Sequence, residues 1–284
     1  VIIDAHHHLW RCDPADYPWI GANDLVLRRD FGATELEAAC SETGVDGTVV
    51  VQARQTLGET RWLLDQASRS PRILGVVGWV PLQDPALPGI LERIAEPALV
   101  GVRHVVQDEP DPDFLLRPAV ARGIDLLAGR GLVYDLLVRA AQLPQAIRCV
   151  DAHPAQRFVL DHAAKPDFTE GLEPWAGRIR DLARRPNVCC KISGLATEMG
   201  LGWTPDRLRP WVDVLLDAFG PGRLLFASDW PVCLLATGYQ RWFDGVAMLI
   251  AGLTAGERAA VLGDNAVAAY RLECATRKTL EVTQ

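Results

Sequence analysis

Val1-Ile2-Ile3-Asp4-Ala5-His6-His7-His8-Leu9-Trp10 opens the chain with a short apolar run that ends in three histidines. Side chains alternate along a strand, so His6 and His8 share one face, roughly 6.6–7 Å apart along the backbone, and His7 takes the other. Two imidazoles at that spacing can converge on one metal ion or on one substrate oxygen. A lone strand histidine is more simply a satisfied core residue. The pair gains meaning if the rest of the chain supplies a barrel with further polar groups at matching strand ends.

Working outward from 2–9, seven more apolar runs rich in β-branched residues follow, at 45–53, 73–82, 99–106, 132–138, 158–162, 188–192 and 224–228. They are nearly continuous in apolar residues rather than alternating, as parallel strands covered on both faces are. Amphipathic helical patterns separate them, at 60–70, 88–96, 114–129, 144–152, 174–184, 205–219 and 239–251. Another lies at 34–44, where Thr34 and Glu37 form a capping box and Gly44 supplies the stop. Two helical pieces at 255–262 and 265–272 follow the last strand. Eight strand–helix units predict a single α/β domain over 1–284, a (β/α)8 TIM-type barrel open to some distortion. A doubly wound sheet would need a Gly-x-Gly-x-x-Gly turn after an early strand, and the sequence has none. The longest irregular stretch, 11–32, follows the first strand, so it lies over the C-terminal mouth of such a barrel as a candidate lid.

Composition fits one large core: 284 residues, 49% hydrophobic. A net charge of −7 and a pI near 5.4, with no basic stripe, argue against a nucleic-acid partner. No run of 18 apolar residues predicts a membrane span, and no signal peptide precedes the first strand, although a short leader trimmed from this numbering is compatible with the abrupt start. Seven cysteines without a Cys-x-x-Cys pair predict reduced thiols and a cytoplasmic protein.

Function in a barrel sits at the C-terminal strand ends. Those ends carry His6 and His8; Gln52 and Arg54; Trp79 and Gln83; Arg103, His104 and Gln107; Tyr134 and Asp135; Asp161, His162 and Lys165; Lys191, Ser193 and Glu198; and Ser228, Asp229 and Trp230. Polar residues recurring at one end of oily runs predict a catalytic site with a small-molecule substrate.

His-x-His on strand 1, one histidine on strand 6 and an aspartate on strand 8 resemble the amidohydrolase superfamily. Asp4-Ala5-His6-His7-His8-Leu9-Trp10, Gly101-Val102-Arg103-His104, Leu160-Asp161-His162-Ala163-Ala164-Lys165-Pro166, Lys191-Ile192-Ser193-Gly194-Leu195, Phe226-Ala227-Ser228-Asp229-Trp230-Pro231 and Gly263-Asp264-Asn265-Ala266 sharpen the resemblance. They are similar to the amidohydrolase-2 branch, with its sugar-lactone hydrolases of the L-fuconolactonase and L-rhamnonolactonase type, from residue 2 to about 272. One departure is His7, where that branch leads us to expect glutamine.

The resemblance implies hydrolysis of a sugar (aldono-)lactone to the aldonic acid. Asp229 takes a proton from water, and His6, His8 and His162 face the developing oxyanion. Binuclear relatives use a lysine at the end of strand 4, and Val102-Arg103-His104-Val105 has none. The implied cofactor is therefore none or one divalent ion, Zn or Mn, on His6, His8, His162 and Asp229. Substrate contacts fall to Trp10, Gln52, Arg103, His104, Tyr134 and Trp230, with Gln107 as a further hydroxyl partner. Asp161 and Asp4 orient histidines or satisfy backbone groups, and Lys165 holds an acidic partner. The alternative chemistry is a metal-dependent non-oxidative decarboxylase of the same superfamily, acting on an aromatic or muconate-type acid.

Overall fold

The computed structural model describes residues 1–273; residues 274–284, which the domain expected from the sequence includes, lie outside the described residues. Eight parallel strands follow one another in chain order: β1 (Ile3–His7), β2 (Gly47–Val51), β3 (Ile73–Gly78), β4 (Leu99–His104), β5 (Val133–Leu136), β6 (Phe158–Leu160), β7 (Val188–Ile192) and β8 (Leu224–Phe226). Helices lie between them, giving a (β/α)8 barrel. The seam from β8 back to β1 is closed past the last ladder pair, where the Asp229 N–H donates to the His6 carbonyl at 2.8 Å and the His8 N–H to the Trp230 carbonyl at 2.7 Å. Asp4 reinforces the seam. Its carboxylate accepts from the Ser228 N–H at 2.8 Å, the Ser228 hydroxyl at 2.6 Å and the Tyr239 hydroxyl at 2.9 Å.

The apolar residues sort into two layers. Ile3, Ala5, Val49, Val51, Val77, Val100, Val133, Val159, Leu225 and Ala227 fill the barrel interior, and Ala266, Tyr270 and Leu272 floor it from the helix Asn265–Tyr270 and the residues just after it. The larger cluster lies between strands and outer helices. Each valine, leucine, isoleucine or phenylalanine buried there contributes about 1.5–3 kcal/mol.

The strands are mostly shorter than the apolar runs that predict them, because the last residues of each run turn their side chains to the mouth and leave the ladder. The capping box differs too. The first long helix is Ala33–Cys40, two residues early, with Glu35 reaching back to the Gly32 N–H at 2.9 Å. Glu37 instead pairs with Arg72 across to the start of β3. A five-residue helix after β7, Leu195–Met199, has no counterpart in the sequence pattern.

One local irregularity positions the chemistry. Asp4 pairs with Thr48 but His7 with Val50, so β1 carries one extra residue in between. Strict alternation would put Ala5 and His6 on opposite faces. The bulge lets Ile3 and Ala5 join the interior core while His6 and His8 also turn inward. His7 faces out, its Nε2 on the Thr48 hydroxyl at 3.0 Å.

Candidate active site

Four side chains converge at the C-terminal mouth. Asp229 Oδ1 lies 3.4 Å from His8 Nε2, 3.8 Å from His6 Nε2 and 3.8 Å from His162 Nε2. His6 Nε2 and His8 Nε2 are 3.1 Å apart. The far side of each ring is occupied: His8 Nδ1 donates to the Val51 carbonyl at 2.8 Å, His162 Nδ1 meets the Ser193 hydroxyl at 2.8 Å, and His6 Nδ1 meets Asp161 at 3.2 Å. Partners of this kind fix ring orientation and leave the Nε2 atoms facing the mouth.

Burial governs the charge states. Desolvation lowers His162 to about 4, and it lowers His6 well below the usual imidazole range, helped by the Lys191 ammonium. Burial alone would raise Asp229, but His162, His8 and His6 around it outweigh that and hold it below the usual carboxylate range. At neutral pH His6 and His162 are therefore neutral imidazoles beside an ionised Asp229.

His162 reaches the site through an unusual backbone. After β6 the residues His162, Ala163, Ala164 and Lys165 all have positive φ, at 50°, 49°, 58° and 48°. Non-glycine residues there cost about 1–2 kcal/mol each. The turn is held by the Trp175 indole N–H on the Ala163 carbonyl at 2.8 Å and by the Lys165 N–H on the His162 carbonyl at 2.8 Å. It carries His162 inward and sets Lys165 on the rim, 3.5 Å from Glu198. Gly194 makes the room. A Cβ there would stand 2.8 Å from the His162 Cβ, at a φ of 70°.

Beneath the histidines runs a buried polar column. Lys191 on β7 is fully buried, its Nζ 2.6 Å from Asp135, 2.8 Å from Asp161 and 3.1 Å from His6 Nδ1. Asp135 in turn accepts from the Tyr270 hydroxyl at 2.9 Å. Arg103 Nη1 donates to Asp161 at 3.0 Å and lies 3.2 Å from His6 Nε2. The sequence exposes Lys191 and Asp135 as charged residues inside oily runs but says nothing of their partners.

Above the four residues is a cavity of about 180 Å³, which suits a single small ring. His8, His162, Asp229 and Arg103 line its floor, with Gln107, Asp108 and Lys165 on the wall and Trp19, Ala53, Val105, Leu137 and Val232 as apolar surface. Trp19, from the long loop after β1, is pinned by its indole N–H on the Ala53 carbonyl at 3.1 Å. Of the six residues the sequence nominates for substrate, Arg103 lines this cavity and the others stand behind it. Trp10 is fully buried and donates to the Leu27 and Arg29 carbonyls, shaping the loop. Trp230 packs edge-on against Phe31. His104 bonds Glu109 at 2.6 Å and stacks on Phe114. Tyr134 points outward onto Phe158. Gln52 supplies its backbone carbonyl to Arg103. Trp19 and Asp108 are additions that the sequence could not place, since a loop has no periodicity to aim its side chains.

The donor set fits a divalent cation: three imidazole nitrogens and one carboxylate oxygen, each imidazole oriented from behind. Among the described residues, His6, His8 and Asp229 form one compact metal-competent group, and His6, Asp161 and His162 another. No helix among the described residues is long and apolar enough to cross a membrane.

Comparison with known proteins gives three findings. The profile of the amidohydrolase family matches residues 3–272. An L-fucono-1,5-lactonase of Burkholderia multivorans is 42% identical over 290 residues, covering 95% of this chain and 96% of that one. An amidohydrolase structure from Burkholderia multivorans with bound zinc superposes with a TM-score of 0.93 at 40% identity, covering 96% of this chain and all of that one.

Proposed function

The chain belongs to the amidohydrolase family, and from that premise we propose that it opens a sugar (aldono-)lactone to the aldonic acid. The observation that carries the reading is Asp229 Oδ1 within 3.4–3.8 Å of three imidazole Nε2 atoms, on the floor of a cavity sized for one small ring. The similarity to an L-fucono-1,5-lactonase supports a lactone as the electrophile. A small-molecule substrate and a cytoplasmic setting belong to the same proposal.

A lactone carbonyl is more electrophilic than an amide, so modest activation suffices. Asp229, ionised and facing the cavity, accepts a proton from the attacking water, an effect of about 10²–10⁴-fold. Arg103 and Lys165 bring donors to the wall where the oxyanion develops, and His162 lines the same cavity, while His6 lies buried behind it and His8, its Nδ1–H on the Val51 carbonyl, turns a lone pair towards it. Asp229 then returns its proton to the leaving ring oxygen. The cofactor is none or one divalent ion, zinc or manganese. His6, His8, His162 and Asp229 would hold it, and when bound it polarises the carbonyl and makes water more acidic. Arg103, Gln107, Lys165 and Trp19 face the substrate, while Trp10, Gln52, His104, Tyr134 and Trp230 support that wall from behind.

The test is a pH-indicator assay of purified protein on a panel of sugar lactones, with and without added Zn²⁺ or Mn²⁺, run beside Asp229→Asn. Acid release by the wild type and a drop of about 10² or more in the variant are expected. No acid from any lactone overturns the proposal, as does CO₂ release from an aromatic acid in its place. Near-wild-type turnover in Asp229→Asn excludes Asp229 as the base.

A further inference from the structure

Glu59 is a buried carboxylate that the chemistry at Asp229 does not use. It stands in the first turn of the helix Leu57–Arg69, whose N-cap is Thr56. Thr56-Leu57-Gly58-Glu59 has the capping-box spacing, in which the glutamate normally reaches back to the N-cap N–H. The Thr56 hydroxyl does accept from the Glu59 N–H, at 3.1 Å. The glutamate, however, reaches further back, its Oε2 accepting from the Arg54 N–H at 2.7 Å and the Ala53 N–H at 3.1 Å. Its Oε1 accepts from the hydroxyl of Tyr17, on the long loop after β1, at 3.3 Å. The Gln52 N–H still reaches a β3 carbonyl, Val77 at 2.8 Å; beyond it Glu59 takes the place of the ladder. Next to Glu59, Thr60 grips the end of β3, its hydroxyl donating to the Trp79 carbonyl at 2.8 Å and accepting from the Trp79 N–H at 2.9 Å. The carboxylate therefore works from a fixed base.

The segment held in this way, 52–55, carries much of the cavity wall. The Gln52 carbonyl accepts from Arg103 and the Ala53 carbonyl from the Trp19 indole, the latter at 3.1 Å. The Arg54 guanidinium pairs with Asp16 at 2.6 Å, and Gln55 Oε1 accepts from the Val105 N–H at 2.9 Å. Arg103, Trp19, Ala53 and Val105 all line the cavity. Asp16, Tyr17 and Trp19 are one short stretch of the loop, fastened at Arg54, Glu59 and Ala53 respectively. Burial pushes the Glu59 carboxyl up to about 7, against the hydrogen bonds that favour its ionised form. Either charge state keeps the frame: Oε2 takes both N–H groups, and Oε1 accepts from the Tyr17 hydroxyl or, when protonated, donates to it.

We propose that Glu59 is a positioning residue for the substrate: through Ala53, Arg54 and Tyr17 it holds the Trp19 wall of the cavity at the width of one ring, without touching the reacting atoms. Its part is in binding the ring, not in the bond-breaking step, which belongs to Asp229. Loss of the carboxylate leaves the Ala53 and Arg54 N–H groups without their acceptor and frees the loop from its buried anchor. The histidines of the reaction centre are oriented by other partners, the Val51 carbonyl, Asp161 and the Ser193 hydroxyl, and stay in place. The effect on substrate binding rests on the lactonase reading above, whereas the fastening of the loop does not.

The experiment uses the full chain with Glu59→Ala, Glu59→Gln and Tyr17→Phe, and reads hydrogen exchange and lactone turnover. In Glu59→Ala, exchange across 11–32 should run about tenfold faster while the strands keep wild-type protection, whereas a purely structural role loosens the whole barrel. In turnover, Glu59→Ala should raise KM about tenfold, the worth of one or two hydrogen bonds, with kcat within about threefold of wild type. Glu59→Gln, whose amide oxygen still accepts both N–H groups, should bring KM back to within about twofold. Glu59→Ala combined with Trp19→Ala should raise KM no further than Trp19→Ala alone, because the two remove the same wall. Wild-type exchange in 11–32, a kcat loss as large as the KM rise, or additive effects in the double variant overturns the proposal. Should Glu59→Ala not fold, Tyr17→Phe removes only the loop's hydroxyl: faster exchange confined to 11–32 supports the fastening, and unchanged exchange overturns it. A wild type that hydrolyses no lactone sinks the functional reading alone, while exchange still decides whether Glu59 holds the loop.

Discussion

Ala164→Gly probes whether the left-handed turn after β6 stores strain. Ala164 has φ 58° and a fully buried methyl group. Glycine there relieves about 1–2 kcal/mol of backbone strain. Against that, it forfeits about 0.8 kcal/mol of buried methyl and adds about 0.5–1 kcal/mol of unfolded-state entropy. The sum runs from about 0.7 kcal/mol stabilising to about 0.8 destabilising, which is close to neutral. Ala176→Gly is the control, equally buried but in the right-handed helix Trp175–Ala183. There the loss is about 1 kcal/mol of helix propensity plus about 0.8 kcal/mol of methyl burial. Urea unfolding with fitted m-values separates the two, since unequal midpoints at equal m measure stability alone. If Ala164→Gly loses as much as Ala176→Gly, the turn stores no strain and the reasoning fails.

Three further outcomes follow from the geometry. Burial pulls His7 down to about 3, helped by the neighbouring His8, so the unfolded chain takes up a proton near pH 6.5 and the folded one does not. Stability from His7 is full above that pH and is lost as pH falls, by about 2 kcal/mol between pH 7 and 5. His7→Gln should remove that share of the acid dependence in urea unfolding while leaving lactone turnover within a few-fold, and an unaltered acid dependence counts against it. Gly194→Ala pushes a Cβ into His162 at a positive φ; we expect about 1–3 kcal/mol lower stability and at least tenfold lower kcat, measured by thermal unfolding and lactone assay, and normal turnover would show that Gly194 does not hold His162. Trp19→Ala opens one wall of the cavity and should raise KM about tenfold, near 1.4 kcal/mol, with kcat little changed; a kcat loss of equal size would place Trp19 in the chemistry instead.

Much of the fold is legible in the chain. Eight oily runs are readable because parallel strands buried on both faces leave few polar positions to confuse the pattern, and residues 188–192 match β7 end to end. His6, His8, His162 and Asp229 are readable because each stands at a strand end, where a polar side chain has no other reason to be. The capping residues are not, since Thr34 and Gly32 offer competing starts and the fold takes the one that frees Glu37 for Arg72. The β1 bulge stays hidden because it leaves no residue signature; His6 and His8 share a face with or without it. Nor can His162-Ala163-Ala164-Lys165 announce a left-handed turn, a conformation that glycine normally marks. Trp10, Tyr134 and Trp230 show the limit of counting strand ends, because position along a strand does not fix which wall a large ring fills.

The seam between β8 and β1 sets an order of events for synthesis. Asp4 meets Ser228 across 224 positions, so at about 5–20 residues per second the histidine pair emerges roughly 10–45 s before its aspartate. Through that interval β1 offers an unpaired edge, of the kind that invites pairing with a neighbouring chain. Tyr270, which props up Asp135 and so the column beneath His6, arrives later still. The newborn protein is thus inactive until Asp229 and Tyr270 have left the ribosome, and its greatest exposure to misassembly comes while its most reactive residues already wait.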